Sequence, residues 1–272
     1  MGAQIDIDKA NATFWNELCG TNLAREIGIT DHSPASLERF DRAYMDLYPY
    51  LPGYLRASEM AGQRLLEIGL GYGTVAEVLA RAGADYHGID IAEGPVAMVR
   101  SRLERIPGAR PEQVQQGSAL DLPFPDGSFD RVVSIGCLHA TGDLMRAVTE
   151  ARRVLRPGGE LLMMVYNRHS ARRVLLWPVL AARHRLVAGA RTPEEWLRYA
   201  NDGTAEGEPA PYTDFVSPAE LRGMLYGMQD VRIERRSIDR VPLGRWEISR
   251  ARLMKLGLDR LVGLDLYATA RA

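Results

Sequence analysis

From Arg64 onward, short apolar runs alternate with stretches of helical period. RLLEIG (64–69) is four apolar or small positions around one acid, the pattern of a strand buried on both faces. TVAEVLARAG (74–83) follows with helical spacing and a closing Gly83. The rhythm repeats with YHGIDI and GPVAMVRSRLERI, then the weaker EQVQQG. RVVSIG comes next, then DLMRAVTEARRVL with Leu144, Val148, Ala151 and Leu155 on one face. Pro157-Gly158-Gly159 turns the chain into ELLMMVY, and VRIERRSI and GLDLYATARA supply two later strands, the last read as alternating. Strand–helix alternation predicts an α/β fold with a doubly wound, mostly parallel, seven-stranded sheet.

The flanks break this rhythm. Residues 10–60 read as helical: FWNEL is a short apolar-periodic piece, Ser33-Pro34 starts a helix, and Leu37, Phe40, Tyr44 and Leu47 share one face. Residues 167–215 hold a basic apolar part, RHSARRVLLWPVLAARHRL, and then a polar stretch, NDGTAEGEPAPYTD. The predicted organisation is a helical lid segment over 1–60, a ligand-binding core over 61–166, an inserted cap over 167–215, and the rest of the core sheet over 216–272.

Composition narrows the function classes. The 272 residues carry a formal net charge of −1, which gives no general pull towards nucleic acid or an anionic membrane. No apolar run is long enough to span a bilayer. The first fifteen residues, with early acids and no apolar segment, do not read as a signal peptide. Cys19 and Cys137 form no metal-like or redox-like pair, so a reducing cytoplasm is the expected compartment.

The candidate chemistry begins at LLEIGLGYGT (65–74). Gly69 and Gly71 permit close approach of backbone to a ligand at the carboxyl end of the first strand, and Gly73 permits the next helix to pack tightly on that strand. Alone this is also the mark of a tight connection, and Gly-x-Gly-x-Gly is not the dinucleotide fingerprint, which needs a glycine where Thr74 stands. Glu67 at the end of a buried strand needs a cationic or hydrogen-bonding partner; a helix-dipole role is its plain alternative. Asp90 ends the second strand, placed to take the hydroxyls of a ribose. GSALDLPFPDGSFD and RVLRPGGEL follow later strands; within them Asp121 and Asp126 read as turn residues.

EIGLGYG, GIDIA, LPFPDGSFD and LRPGGEL, in that order, resemble the class I S-adenosylmethionine-dependent methyltransferases, in particular the branch with the ubiquinone and menaquinone biosynthetic enzymes (methyltransferase type 11). The resemblance runs from about Arg64 to about Tyr166, and more loosely to the last strand. It implies a Rossmann-like methyltransferase fold and S-adenosylmethionine as cofactor, with S-adenosylhomocysteine as product and no metal. Gly69, Gly71 and Gly73 would wrap the amino-acid part, with Glu67 orienting the loop or meeting the ammonium. Asp90 would hold the ribose, Ile91 would lie on the adenine, and Ser118 and Ala119 would flank its edge. The family often has an acid where Ser118 stands. Ile135 and Gly136 would back the sulfonium.

The acceptor side is less determined by motif. His139 and His169 follow the carboxyl ends of the fourth and fifth strands and are the candidate bases, or else positioning or solvated residues. Trp15, Tyr44, Tyr166, Asn167 and Tyr212 are candidate acceptor contacts, core packing being the alternative for the first two. The apolar set Val174, Leu175, Trp177 and Leu180, ringed by Arg168, Arg172, Arg173, Arg183 and Arg185, suggests a hydrophobic acceptor bearing a carboxylate or phosphate. The expected partner is a small metabolite or natural-product intermediate, with no nucleic acid and no membrane span. The rivals are an RNA or protein methyltransferase using the arginine clusters, a protein that holds the cofactor without turnover, and a nicotinamide-dependent oxidoreductase.

Overall fold

The computed structural model describes residues 2–16, 22–187, 189, 191–204, 207–243 and 245–272. Cys19 and the Glu17-Leu18 end of FWNEL lie outside the described residues, as do Ala205 and Glu206 of the polar stretch.

Four helices precede the sheet: α1 (Gly2–Asn16), α2 (Asn22–Glu26), α3 (Pro34–Leu47) and α4 (Leu51–Leu55). The start of α3 is fixed by sequence, with Ser33 Oγ accepting from Ser36 N and Pro34 in the first turn. The core then runs β1 (Arg64–Ile68), α5 (Thr74–Arg81), β2 (Asp85–Asp90), α6 (Glu93–Leu103), β3 (Val114–Gln116), β4 (Phe129–Ile135), α7 (Leu144–Arg153) and β5 (Leu155–Asn167). After it come α8 (Ala171–Leu186), α9 (Pro193–Asn201), β6 (Phe215–Val216), α10 (Pro218–Met224) and β7 (Gln229–Arg236). A hairpin of β8 (Val241–Leu243) and β9 (Trp246–Ile248), then α11 (Arg250–Lys255), α12 (Leu258–Val262) and β10 (Asp265–Arg271), complete the chain.

The sheet order is β3-β2-β1-β4-β5-β10-β7. β1 to β5 are parallel and β10 is antiparallel to both its neighbours. The seven expected strands are joined by the two-residue β6, which pairs with the end of β5. One face packs Leu79 of α5 and Val96 of α6 with Leu51 and Leu55; the other packs Val148 and Ala151 of α7 with Leu221 of α10. The order reverses between β1, whose neighbours are β2 and β4, and this puts a cleft at the carboxyl ends of those strands.

Three local expectations shift. Pro157-Gly158-Gly159 turns within β5, where pairing slips from Phe129↔Leu155 to Arg131↔Glu160. The helix expected over 143–155 ends at Arg153, leaving Leu155 to the strand. β10 is buried on both faces for most of its length, because it is an interior strand between β5 and β7.

The N-terminal helices are tied to the core by buried cations. Arg131, 1% exposed, starts β4 and donates to the carbonyls of Leu55 and Tyr54, with Glu160 as its ion-pair partner. Arg102 of α6, 3% exposed, meets both oxygens of Asp41 on α3 at 2.8 and 3.0 Å and Glu77 of α5 at 2.7 Å. One guanidinium thus clamps three helices, two of them beside the glycine turn. Replacing Arg102 by Met leaves Asp41 without its cation and Glu77 with Arg81 alone. A loss of about 3 kcal/mol is expected for a broken buried pair, read from urea denaturation; an unchanged midpoint would show that α3 is held by its apolar face alone.

Candidate functional site

The first turn of the cleft is built by backbone constraint. Gly69, Gly71 and Gly73 have φ of +84°, +50° and +78°, a region that side-chain-bearing residues rarely adopt. They differ in what surrounds them. A Cβ on Gly69 would overlap the Cys137 side chain, and one on Gly73 would press on Val99 and Arg102 of α6 at 2.9 Å. Gly73 therefore serves helix-to-helix packing, where a contact with the strand was expected. A Cβ on Gly71 would meet nothing within 4 Å. Its side faces open space.

Asp90 locks this turn. Its Oδ2 accepts from Leu70 N at 2.8 Å and its Oδ1 from Ala92 N at 2.9 Å. A carboxylate has about four lone-pair sites, so capacity for a ligand hydroxyl remains. Burial raises the Asp90 pKa above the ordinary carboxylate range, with the backbone N–H groups opposing. Glu67, 3% exposed, accepts from Tyr86 OH at 2.6 Å, and burial pushes its pKa up to about 8.

A cavity opens over these residues, with about 200 Å³ open to the centre of a water-sized sphere. One water needs roughly 10–15 Å³ on that measure, so the space is sized for a molecule. It is floored by strand ends: Glu67 to Tyr72 after β1, Ile89 to Ile91 at β2, Gly117 to Ala119 after β3, Ile135 to Cys137 at β4, and Met164 and Tyr166 at β5. Its roof is N-terminal: Asp8, Asn11 and Trp15 of α1, Phe40 and Tyr44 of α3, and Tyr48. Among the described residues of the insertion, Asp202 alone contributes. Asp8, Glu67, Asp90 and Asp202 are the charged lining residues; no Arg, Lys or His lines it among the described residues.

α1 is strapped across the strand ends. Gln4 Nε2 donates to Thr141 O at 2.8 Å and Asn11 Nδ2 to Ala140 O at 2.8 Å, while Asn16 Oδ1 accepts from Gly94 N at 2.7 Å. The strap spans from the loop after β4 to the start of α6. Asn11 is 3% exposed and its Oδ1 has no partner. α3 reaches the glycine turn through Phe40, whose ring stacks on Tyr72 with centroids 4.0 Å apart.

Of the expected ligand residues, Glu67, Gly69, Gly71, Asp90, Ile91, Ser118, Ala119, Ile135 and Gly136 border this one cavity, with Trp15, Tyr44 and Tyr166. Trp15 adjoins Asn16, so it lies at the β2 end and not beside β5. The remaining candidates fall elsewhere. His139 is 1% exposed behind Tyr166, ring centroids 4.1 Å apart, and burial pushes its pKa down to about 3. His169 is exposed. Asn167 is fully buried, with Nδ2 donating to Gly263 O and Oδ1 accepting from His169 N. Tyr212 donates to Asp214. Arg172 is spent on Asp239, reached through both Nε and Nη2, and on Ala200 O and Asn201 Oδ1. Arg173 stacks on Trp177 and Phe215, and Val174 and Leu175 are 58% and 70% exposed on the outer side of α8. The residues that sequence reading passed over include Asp8, Asn11, Phe40, Tyr48, Tyr72, Cys137, Met164 and Asp202. Of these, Tyr72 sits inside a motif that marks the site, as do the lining residues Ile68, Leu70 and Ile89.

The raised pKa of Glu67 has a measurable sign. Between the ordinary carboxylate range and about 8, the folded ligand-free chain holds a proton that the unfolded chain has lost. Stability therefore falls as pH rises through that window. Glu67→Gln is expected to flatten the fall and to be more stable than the parent at pH 8, measured by urea midpoints from pH 5 to 9. Parallel pH curves for the two proteins would place the ionisation of Glu67 outside that window.

Comparison with known proteins agrees with this geometry. Residues 66–163 match the methyltransferase domain family. A demethylmenaquinone methyltransferase of Tropheryma whipplei is 35% identical over 107 residues, 39% of this chain and 43% of its own length. The 27-O-demethylrifamycin SV methyltransferase of Amycolatopsis mediterranei is 36% identical over 155 residues, 57% of this chain and 54% of its own. The chain thus spans about half the length of these curated relatives. In fold, it is similar to a SAM-dependent methyltransferase from Methanosarcina mazei, with TM-score 0.52 and 22% identity over 83% of this chain and 97% of that one. The matched residues 66–163 take in the glycine turn, Asp90 and most of the parallel strands β1 to β5, and this part of the chain is similar to the methyltransferase domain of S-adenosylmethionine-dependent enzymes.

Proposed function

We propose that the chain is an S-adenosylmethionine-dependent methyltransferase acting on a small-molecule acceptor. The observation that carries this reading is the charge balance of the cavity: four acidic side chains, one of them a Glu67 that keeps its proton up to about pH 8 in the ligand-free chain, and no lining cation among the described residues, at the carboxyl edge beside a glycine turn. S-adenosylmethionine carries a sulfonium and an ammonium, so a negative cavity of low dielectric favours it. A nicotinamide dinucleotide carries a pyrophosphate, which such a cavity repels. The start of α5, where a pyrophosphate would be expected, already faces an acid: Thr74 Oγ1 donates to Asp41 Oδ1 at 2.6 Å.

The described residues fit the cofactor. Asp90 has lone pairs left for ribose hydroxyls, and Ile91, Ser118 and Ala119 border the β2–β3 end, where an adenine would lie. The open side of Gly71 leaves room for the amino-acid part, and Glu67 and the orphaned Oδ1 of Asn11 are acceptors for its ammonium. When bound, the cofactor supplies an electrophilic methyl group on a good leaving group. The chain then has to orient the acceptor and keep water out. The α1 strap and α3 serve the second task, and we assign 1–60 as a lid, with 167–215 a partial cap that reaches the cavity through Asp202. Enclosure under helices favours a small acceptor over a polymer, as do the acceptor names borne by the two relatives above. The arginine cluster supports no anionic acceptor, since Arg172 is held by Asp239 outside the lining.

Gly71→Ala tests the cofactor site. The added methyl meets no protein atom, so the fold loses only the cost of a positive φ, about 1–2 kcal/mol. Affinity for S-adenosylmethionine is expected to fall at least about tenfold, or roughly 1.4 kcal/mol, in a calorimetric titration. Unchanged affinity in the folded variant overturns the loop assignment. Release of S-adenosylhomocysteine across a panel of small acceptors separates a transferase from a protein that only holds the cofactor.

A further inference from the structure

The cavity is elongated along the sheet. From the end of β3 to the end of β5 there are four strand spacings of about 4.8 Å, or roughly 19 Å. In the reading above, the nucleoside takes the β2–β3 end. The β5 end is then left for the acceptor, and it has its own polar group.

Asp202 stands there at the end of α9, among Tyr48, Tyr166 and Met164 of the lining. Its backbone is pinned, with N donating to Arg198 O at 2.8 Å and O accepting from Ala210 N at 2.9 Å. Its Oδ2 accepts from Tyr166 OH at 2.8 Å. Its Oδ1 accepts from no described residue. Tyr166 is itself fixed, its ring against those of His139 at 4.1 Å and Phe215 at 6.0 Å. Arg172 holds the two residues before Asp202 through Ala200 O and Asn201 Oδ1, while its charge goes to Asp239. One carboxylate oxygen is therefore oriented by the protein and the other is presented to a cavity with no cation of its own.

We propose that Asp202, oriented by Tyr166, is the acceptor-recognition group of this site and selects an acceptor that presents a hydroxyl or amine, excluding those that present a carboxylate or phosphate. A hydroxyl or amine donates to the open oxygen. An anion placed there faces Asp202 with no compensating charge in the lining, and a like-charge contact in a water-poor pocket is strongly unfavourable. The aromatic and thioether walls leave the rest of the acceptor to apolar contact, which sets no demand on its charge. The inference rests on the methyltransferase reading, since that reading assigns the other end of the cavity to the cofactor. A carboxylate that merely clamps α9 to β5 would make the same bond to Tyr166 but would not discriminate between ligands by charge.

The test uses the whole chain saturated with S-adenosylhomocysteine, and two probes of one shape, 2-naphthol and 2-naphthoate, at pH 8. Binding to the parent is expected to favour naphthol at least tenfold. Asp202→Asn keeps the size and an acceptor for Tyr166 OH but removes the charge; with S-adenosylhomocysteine again saturating, it is expected to bind naphthoate more tightly and to narrow the preference at least tenfold. Asp202→Ser gives the same reading if the asparagine variant is unfolded. Equal binding of both probes by the parent, binding of neither, or a preference that survives the loss of Asp202 overturns the proposal alone. If the parent fails to bind S-adenosylhomocysteine in the preliminary titration, the methyltransferase reading falls and this proposal with it.

Discussion

Carboxylates gathered in a cavity without a cation are the constraint around which the rest of the molecule is arranged. Each costs free energy to desolvate, and each is given just enough hydrogen bonding to be kept. Asp90 takes two backbone N–H groups, Glu67 takes the Tyr86 hydroxyl and Asp202 takes the Tyr166 hydroxyl. Burial still dominates: Glu67 is pushed up to about 8 and Asp202 to about 6. Acids left in that condition are a store of unsatisfied interaction, and the ligand that relieves it carries positive charge or hydrogen-bond donors. Cofactor preference and acceptor preference follow from one electrostatic fact.

The scaffold explains how such a cavity stays closed. Cations are kept out of the lining and used behind it. Arg102 clamps α3, α5 and α6, Arg131 holds the chain at α4 under the sheet, and Arg172 holds the end of α9. The α1 strap adds three hydrogen bonds to the strand-end loops. These contacts place a roof over the carboxyl edge without putting a positive side chain into it. The strap buries Phe14 near its end, while Ile5 in its first turn is 50% exposed. A helix with few buried apolar side chains belongs to the lower-stability part of a structure, which suits the lid role proposed for it.

What could be read from the sequence follows the range of the interactions concerned. β1 (RLLEI) and the VVSI end of β4 are mostly apolar, as strands buried on both faces tend to be, β2 (DYHGID) was read from its place in the strand–helix alternation, and the glycine turn with its acid twenty residues on is local chemistry. These were readable. The floor of the cavity follows, since every parallel strand ends there. The roof was readable only in outline, through Trp15 and Tyr44; Asp8, Asn11, Phe40 and Tyr48 were not read as lining. α1 mixes apolar and polar positions with no clear face, and its contacts are to residues more than seventy positions away. Asp202 sits in NDGT, which has the composition of a turn; only the return of the chain over β5 makes it a lining residue. Arg172 misled in the opposite sense. Its partner Asp239 is 67 positions on, so from sequence it looked like a cation awaiting a ligand. His139 follows a strand end as a base would, yet the backbone turns its ring into the core behind Tyr166.

The central claim is that a cavity whose charged lining residues, among the described ones, are all acids selects a cationic nucleoside cofactor. It is tested most directly by titrating the unmodified chain in a calorimeter, at neutral pH and low salt, with S-adenosylmethionine and separately with a nicotinamide dinucleotide. The account predicts one site per chain for S-adenosylmethionine, weakening as salt is added, and no heat of binding from the dinucleotide. Binding of the dinucleotide, or failure to bind S-adenosylmethionine, would contradict it.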